Sequence, residues 1–370
     1  MGLTHYPHGI STPIVVPGGG GLISTGIGIG DIKWVVPSKA STDLWYARIA
    51  AIANDRDIFT TLQTAHDACT SGQGDTIFVA PGLYTTTDQT TFSKSNIQVV
   101  GLCGPNNLMS AAATIASRSQ PGCTIYCDTA AVPYTMQVTG HNNQFYNMSF
   151  VNSGANAANL GAVCIGKITT NTAHQNYFSR CTFHGCMDTA QNTIYSSSLE
   201  IGSGASNYMI EECIIGQNTM GGAKEVSYQG HLLYSGETNS GASHGFGPQN
   251  GVIKNTLFLS RTASQVLVPA VRIGGGDGLV VGDEAMDRTH WFIGCHFDSW
   301  AGAGETAQTA VFDDACSSYH CVRLVDCSAH RYAAWRIVRL GQPTSADWRY
   351  STNMGIPVAV DSGIGIIPTT

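Results

Sequence analysis

Four sets of side chains in this sequence are of the right type to do chemistry, and their spacing decides what each can do. The most acidic stretch, GGGDGLVVGDEAMDR at 274–288, offers Asp283, Glu284 and Asp287 in the loop 277–287. Calcium would want six to eight oxygens there. The spacing fits neither an EF-hand nor an RTX repeat, and the glycine run reads more simply as a turn, so no metal or other cofactor is assigned. His184 with Cys186 is half of a metal site with no second half, and Cys123/Cys127 and Cys316/Cys321 lack the C-x-x-C spacing of zinc or redox sites. Glu200, Glu212 and Asp326 are carboxylates at repeat-related positions. Their neighbours in a stack, Cys164, Arg272, Arg180 and Gly294, build none of the paired acids that glycoside hydrolysis needs. No catalytic residue is assigned, and the chain is expected not to be an enzyme. The fourth set is Tyr228, Tyr234, His244 and Phe246, in the Gly-, Ser- and Asn-rich insertion 216–250. They could form a sugar-stacking surface on a loop, or pack on their own flank or at a subunit contact.

Positioning comes from a phrase that recurs in changing letters: FYNMSF at 145–150, FSRCTF at 178–183, IEECII at 210–215, IKNTLF at 253–258, FIGCHF at 292–297 and LVDCSA at 324–329. A large apolar residue is followed three positions later by Cys, Met or Thr, which a single strand of period two cannot accommodate. Two short strands joined by a one-residue bend can. The bend residues are Asn147, Arg180, Glu212, Asn255, Gly294 and Asp326. Four of these are types that accept a left-handed backbone at least cost, whereas Arg180 and Glu212 depart from the rule. From Met148 onward the steps are 33, 32, 43, 39 and 32 residues, the period of a solenoid whose coils must stack to bury their apolar faces. A second ladder, VCIG at 163–166, LEIG at 199–202 and VRIG at 271–274, with MQVTG at 136–140 as a looser copy, adds a third strand per coil. Helical periodicity is missing here. The expected class is all-β, a parallel β-helix with Phe145, Phe178, Ile210, Ile253, Phe292 and Leu324 in one inward file.

Composition agrees. Charged residues make up 12% of the chain, against about 25% in average globular proteins. Strands stacked ~4.8 Å apart would set like charges directly over one another. The net charge of −7 and the lack of a basic run argue against nucleic acid. No apolar run of ~18 residues implies membrane insertion, and the first 23 residues do not read as a secretory signal. Of the 12 cysteines, Cys181, Cys213, Cys295 and Cys327 share one repeat position with Met148 and Thr256. A position that accepts Met selects for filling space, so buried free thiols are expected.

Residues 1–31 form an arm with Pro and Gly too dense for a helix. Its beads Ile14, Val15, Val16, Leu22, Ile23, Ile27 and Ile29 suggest a strap that orders against another surface or along its own domain, and His5, Tyr6, Pro7 and His8 an anchor point. KWVVP at 33–37 reads as an opening strand. A short helix follows near 59–69, with Leu62, Ala65 and Cys69 on one face and Asp57 or Thr60 as N-cap.

After that helix come Gly-Asp, the strand TIFVA, Pro-Gly-x-Tyr and a strand ending IQVVGL at 97–102. This order resembles the first coil of the pectate-lyase-like right-handed parallel β-helix superfamily, over residues 32–340. The resemblance implies that the helix plugs the solenoid's end. Lyase motifs expected from that family are absent. The opening MGLTHYPHGIS, with its Gly-rich arm and this β-helix, resembles tailed-bacteriophage virion proteins encoded among head genes. That resemblance implies a homotrimeric decoration, knob or spike on the outside of the head, made in the host cytoplasm and anchored through 1–31 to the major capsid or another head protein. Cell-surface glycans would be a further partner. The alternative is a tailspike or fibre that binds or cleaves host polysaccharide. The segment 341–370 is expected to cap the solenoid and, through Ile356, Val358, Val360, Ile364, Ile366 and Ile367, to cross onto a neighbouring subunit.

Overall fold

The computed structural model describes residues 30–104, 122–167, 173–185, 190–191, 196–220, 230–236, 247–262, 269–274, 286, 288–301, 311–314, 320–330, 336–338 and 347–350. Its strands form three long parallel walls, eleven-stranded, eight-stranded and eight-stranded. Each coil contributes a strand to the first wall, bends into the second, and returns through the third. The result is a right-handed parallel β-helix, the hand that parallel crossovers almost always take.

The recurring phrase is the corner between the first and second walls. Gln144–Tyr146 lies in the first wall and Ser149–Asn152 in the second, with Asn147 at φ 56° between them. All six bend residues are left-handed, including Arg180 (φ 51°) and Glu212 (φ 54°). Their conformation is imposed by the stack: Asn147 N–H donates to the Ser179 carbonyl at 3.1 Å, Arg180 to Glu211 at 3.1 Å, and Glu212 to Lys254 at 3.0 Å. One cross-coil hydrogen bond per corner offsets much of the steric cost that a side chain brings to this conformation.

Registers place Phe145, Phe178, Ile210, Ile253, Phe292 and Leu324 one above another, continuing from Ile77 and Val99. Each of the six is at most 1% exposed. The Phe145 and Phe178 rings stack with centroids 4.5 Å apart. Burial of each such side chain stabilises the fold by roughly 1.5–3 kcal/mol. In the second wall Phe150, Phe183, Ile215, Phe258 and Phe297 make the matching file.

Two short helices precede the regular coils. α2, Leu62–Ala68, and its C-cap Cys69 bury Leu62, Ala65 and Cys69 in the core, with burial raising the Cys69 pKa to about 12. Its N-cap is Thr61, which accepts from Thr64 N–H. Neither Asp57 nor Thr60 takes that place; Asp57 instead accepts from Lys33 Nζ at 2.8 Å. α1, Leu44–Ala50, was not anticipated from sequence. Asp43 caps it, and its Ile49 joins Trp34, Val36, Ile58, Phe78 and Ala80 in a separate apolar cluster. No helix among the described residues is long and apolar enough to cross a membrane.

Candidate functional site

The third wall carries a set of buried ionisable side chains. Along it, Val163, Leu199, Leu232, Val271 and Phe312 pair in sequence and face the core. Period-two alternation puts a second row between them: Gln137, Cys164, Glu200, Leu233 and Arg272. Leu233 therefore stands between Glu200 and Arg272, so their adjacency inferred from sequence is corrected by one rung.

Glu200 has no exposed surface. Its Oε1 accepts from Ser235 Oγ at 2.5 Å and from Lys167 Nζ at 3.2 Å, while Oε2 accepts from the Tyr134 hydroxyl. Lys167 Nζ also donates to the Tyr134 hydroxyl at 2.8 Å. Burial works against the Lys167 ammonium, but the Glu200 carboxylate more than offsets it and holds the lysine pKa above its ordinary value. Burial drives the Tyr134 and Cys164 pKa values up. Every partner is thus in its ordinary protonation state at neutral pH. The carboxylate bonds to Tyr134 from one side of its coil and Ser235 from the other, so it ties three coils together. A general acid or base must reach the proton it transfers, and this carboxylate is enclosed. Arg272, 4% exposed, donates through Nε to the Gly274 carbonyl at 2.7 Å. These groups do not converge on a common point.

A second polar chain runs inside the solenoid. Registers align Asn143, Asn176, Tyr208, Gly251 and His290. Asn143 and Asn176 form a ladder: the Asn176 side-chain oxygen accepts from Asn143 N–H at 3.0 Å, and Asn143 Oδ1 from Ile97 N–H at 3.0 Å. Tyr208 then reaches past Gly251, where a Cβ would lie 2.0 Å from its ring, to His290. His290 Nε2 bonds to the Pro248 carbonyl at 3.0 Å and Nδ1 to the Tyr208 hydroxyl at 2.9 Å. The Tyr208 hydroxyl donates to that of Tyr234 at 2.9 Å. Each member is a buried polar group satisfied within the wall.

The cysteines have the same character. Cys181, Cys213, Cys295 and Cys327 are free and at most 2% exposed. Each thiol lies near the carbonyl opening the previous coil's phrase: Phe145 at 3.5 Å, Phe178 at 3.7 Å, Ile253 at 3.4 Å and Phe292 at 3.3 Å. At the same position Thr256 Oγ1 accepts from Cys213 N–H at 3.4 Å. The position therefore favours a small side chain with a donor as well as one that fills space.

Of the sugar-stacking set, Tyr234 is overturned. It is fully buried in the third-wall strand Leu232–Tyr234, paired between Ile201 and Ile273. HLLYS is the rung that belongs between LEIG and VRIG, so part of the 216–250 insertion is wall. Tyr228, His244 and Phe246 lie outside the described residues, as do His5, Tyr6, Pro7, His8, Ile14, Val15 and Val16. The same holds for Asp283, Glu284, Asp287, Cys186 and the C-terminal beads from Ile356 to Ile367. His184 Nδ1 bonds to the Gly216 carbonyl at 2.7 Å. The strand Phe312–Asp314 sets Asp313 beside Arg272 and Asp314 beside Ile273. Among the described residues, no group of three or more His, Cys, Asp or Glu is placed to hold a metal ion.

Sequence reasoning missed a second left-handed column, Asn96, Asn142, Gln175, Asn207 and Asn250, at φ 49–59°. The last four each stand five residues before a bend of the first column, a spacing visible in the letters. It also missed the Tyr134, Lys167, Glu200 and Ser235 network, whose members are 33 and more residues apart and carry no local signal.

No protein-family model matches the chain, and no curated protein sequence does. Among solved structures, the chain is similar to the pectin methylesterase from carrot at 12% identity and a TM-score of 0.48, over 90% of this chain and 86% of that one. It is similar to pectate lyase Pel9A at 13% and 0.46, over 90% and 79%. It is also similar to ORF18 of Geobacillus virus E2 at 13% and 0.38, over 79% of this chain and 56% of that one. At these identities a likeness concerns the fold alone, and the strand registers establish the fold independently.

Proposed function

We propose that this chain is a non-enzymatic structural protein of a tailed-bacteriophage virion, a homotrimer displayed on the outside of the head and anchored through its N-terminal arm. One observation carries the non-enzymatic part. Glu200 and the repeat cysteines are bound into the solenoid wall, Glu200 by three partners and the four cysteines by cross-coil carbonyls. A wall built this way is a rigid spacer that needs no cofactor. The virion part rests on the opening phrase MGLTHYPHGIS and on the apolar beads of residues 1–31, which suit a strap laid on another protein.

The test is deletion of residues 1–30, followed by particle assembly and sizing of the free protein. Loss of the protein from particles, with the free protein still folded and trimeric, supports the anchoring role. Unchanged incorporation overturns it. Incubation of the intact protein with host polysaccharide should release no oligosaccharide; release would favour a tailspike instead.

A further inference from the structure

We propose that Cys103 and Cys123 form a latent disulfide that locks the corner between the first- and second-wall strands of one coil, a modification site set up by the fold. Their Sγ atoms lie 3.3 Å apart, so reaching the about 2.05 Å of a disulfide requires an approach of only about 1.2 Å. Cys123 opens the second-wall strand Cys123–Cys127 and is fully buried. Through Met148, whose neighbour Ser149 pairs with Thr124, it heads the column that holds Cys181 and Cys213. Cys103 follows the first-wall strand Gln98–Gly101 and is partly exposed. The bond would covalently close segment 104–122 across a corner of the solenoid.

The two sulfurs have unequal roles. The Cys123 thiol has the Val79 carbonyl at 3.3 Å and the Cys103 sulfur at 3.3 Å as acceptors. A proton shared toward Cys103 favours the thiolate there, so the Cys103 pKa falls while that of Cys123 rises. Cys103 is therefore the attacking sulfur and Cys123 the resolving one. A small-molecule disulfide serves as oxidant. The Cys103 thiolate attacks one of its sulfurs, the oxidant's S–S bond breaks, and one thiolate leaves. Cys123 then gives up its proton, attacks the Cys103 sulfur and expels the second thiolate. Two electrons pass from the cysteine pair to the oxidant, and both cysteine protons end on the released thiols. The column cysteines are enclosed and do not meet the oxidant. The pair would stay reduced in a reducing compartment and close once outside it.

The test treats the native full-length protein with oxidised glutathione, blocks remaining thiols by alkylation under unfolding conditions, and maps the peptides by mass spectrometry. The expected product links Cys103 to Cys123, with Cys181, Cys213, Cys295 and Cys327 alkylated. Cys123→Ala should instead retain glutathione on Cys103. If that variant fails to fold, Cys103→Ser serves, and its Cys123 should stay unmodified under native conditions. Wild-type protein with Cys103 alkylated or still carrying glutathione would overturn the proposal, as would native-state modification of Cys123 in Cys103→Ser.

Discussion

Burial and hydrogen bonding pull against each other at His66. It sits in the helix that plugs the solenoid, 1% exposed, with Nε2 accepting from Lys94 N–H at 3.1 Å and Nδ1 facing Asp67 at 3.3 Å. Burial dominates and lowers its pKa, with Asp67 offsetting part of the effect; His174 shifts the same way, through burial first and then His141. A lowered histidine pKa means the unfolded chain takes up the proton first as pH falls. Stability should therefore be flat above about pH 6.5 and decline below it, by at most about 1.4 kcal/mol per pH unit for this group. Urea midpoints at about pH 7.5 and 5.5 measure the slope, and His66→Gln should reduce it. Glu200 gives a second residue-scale prediction. Lys167→Met leaves its enclosed carboxylate with only neutral donors, and should cost about 2–4 kcal/mol, discounted because the Lys167 side chain is 40% exposed. Adding Glu200→Gln, which keeps an acceptor for Tyr134 and Ser235, should recover part of that loss in a denaturant titration.

Corners are the elements on which the coils turn, and they show how much of a backbone conformation belongs to its residue. Asn147, Asn255, Gly294 and Asp326 suit the left-handed region on their own; Arg180 and Glu212 adopt it because the stack requires it. Arg180→Gly should therefore stabilise the protein by about 0.5–1 kcal/mol, read as a raised thermal midpoint. Its exposed pair with Glu212, at 3.9 Å, contributes little. Gly251 is the opposite case. Gly251→Ala drives a Cβ into the Tyr208 ring and should lower stability by about 2 kcal/mol in the same assay. The corner rule was readable from six phrases because it repeats. The exchange of Asn for Tyr208 and then Gly251 was not, since it depends on which side chains lie one and two coils away.

At the scale of the whole molecule, a solenoid buries only what each coil presents to its neighbours, so its ends need covers. α2 covers one end, and the described strands run on to Asp347–Tyr350 in the first wall. Beyond them, residues 351–370 carry six apolar beads among Gly and Pro. If these cross onto a neighbouring subunit, as expected from the sequence, truncation at 350 should convert the trimer to a folded monomer. Light scattering with circular dichroism checks it, and a monomeric full-length chain would contradict the assembly.

By itself the sequence determined the three-strand coil, the inward file from Phe145 to Leu324, the plugging face of α2 and the burial of the repeat cysteines. Each is written as a periodic or local pattern, and stacking identical units leaves periodic residues a single environment. Tertiary structure alone decided that Tyr234 is core, that Glu200 is enclosed by Tyr134, Lys167 and Ser235, and that Cys103 meets Cys123. Those contacts join residues from 20 to 66 positions apart. Their approach depends on how many residues each coil spends before returning to the wall, and no local pattern in the chain records that length.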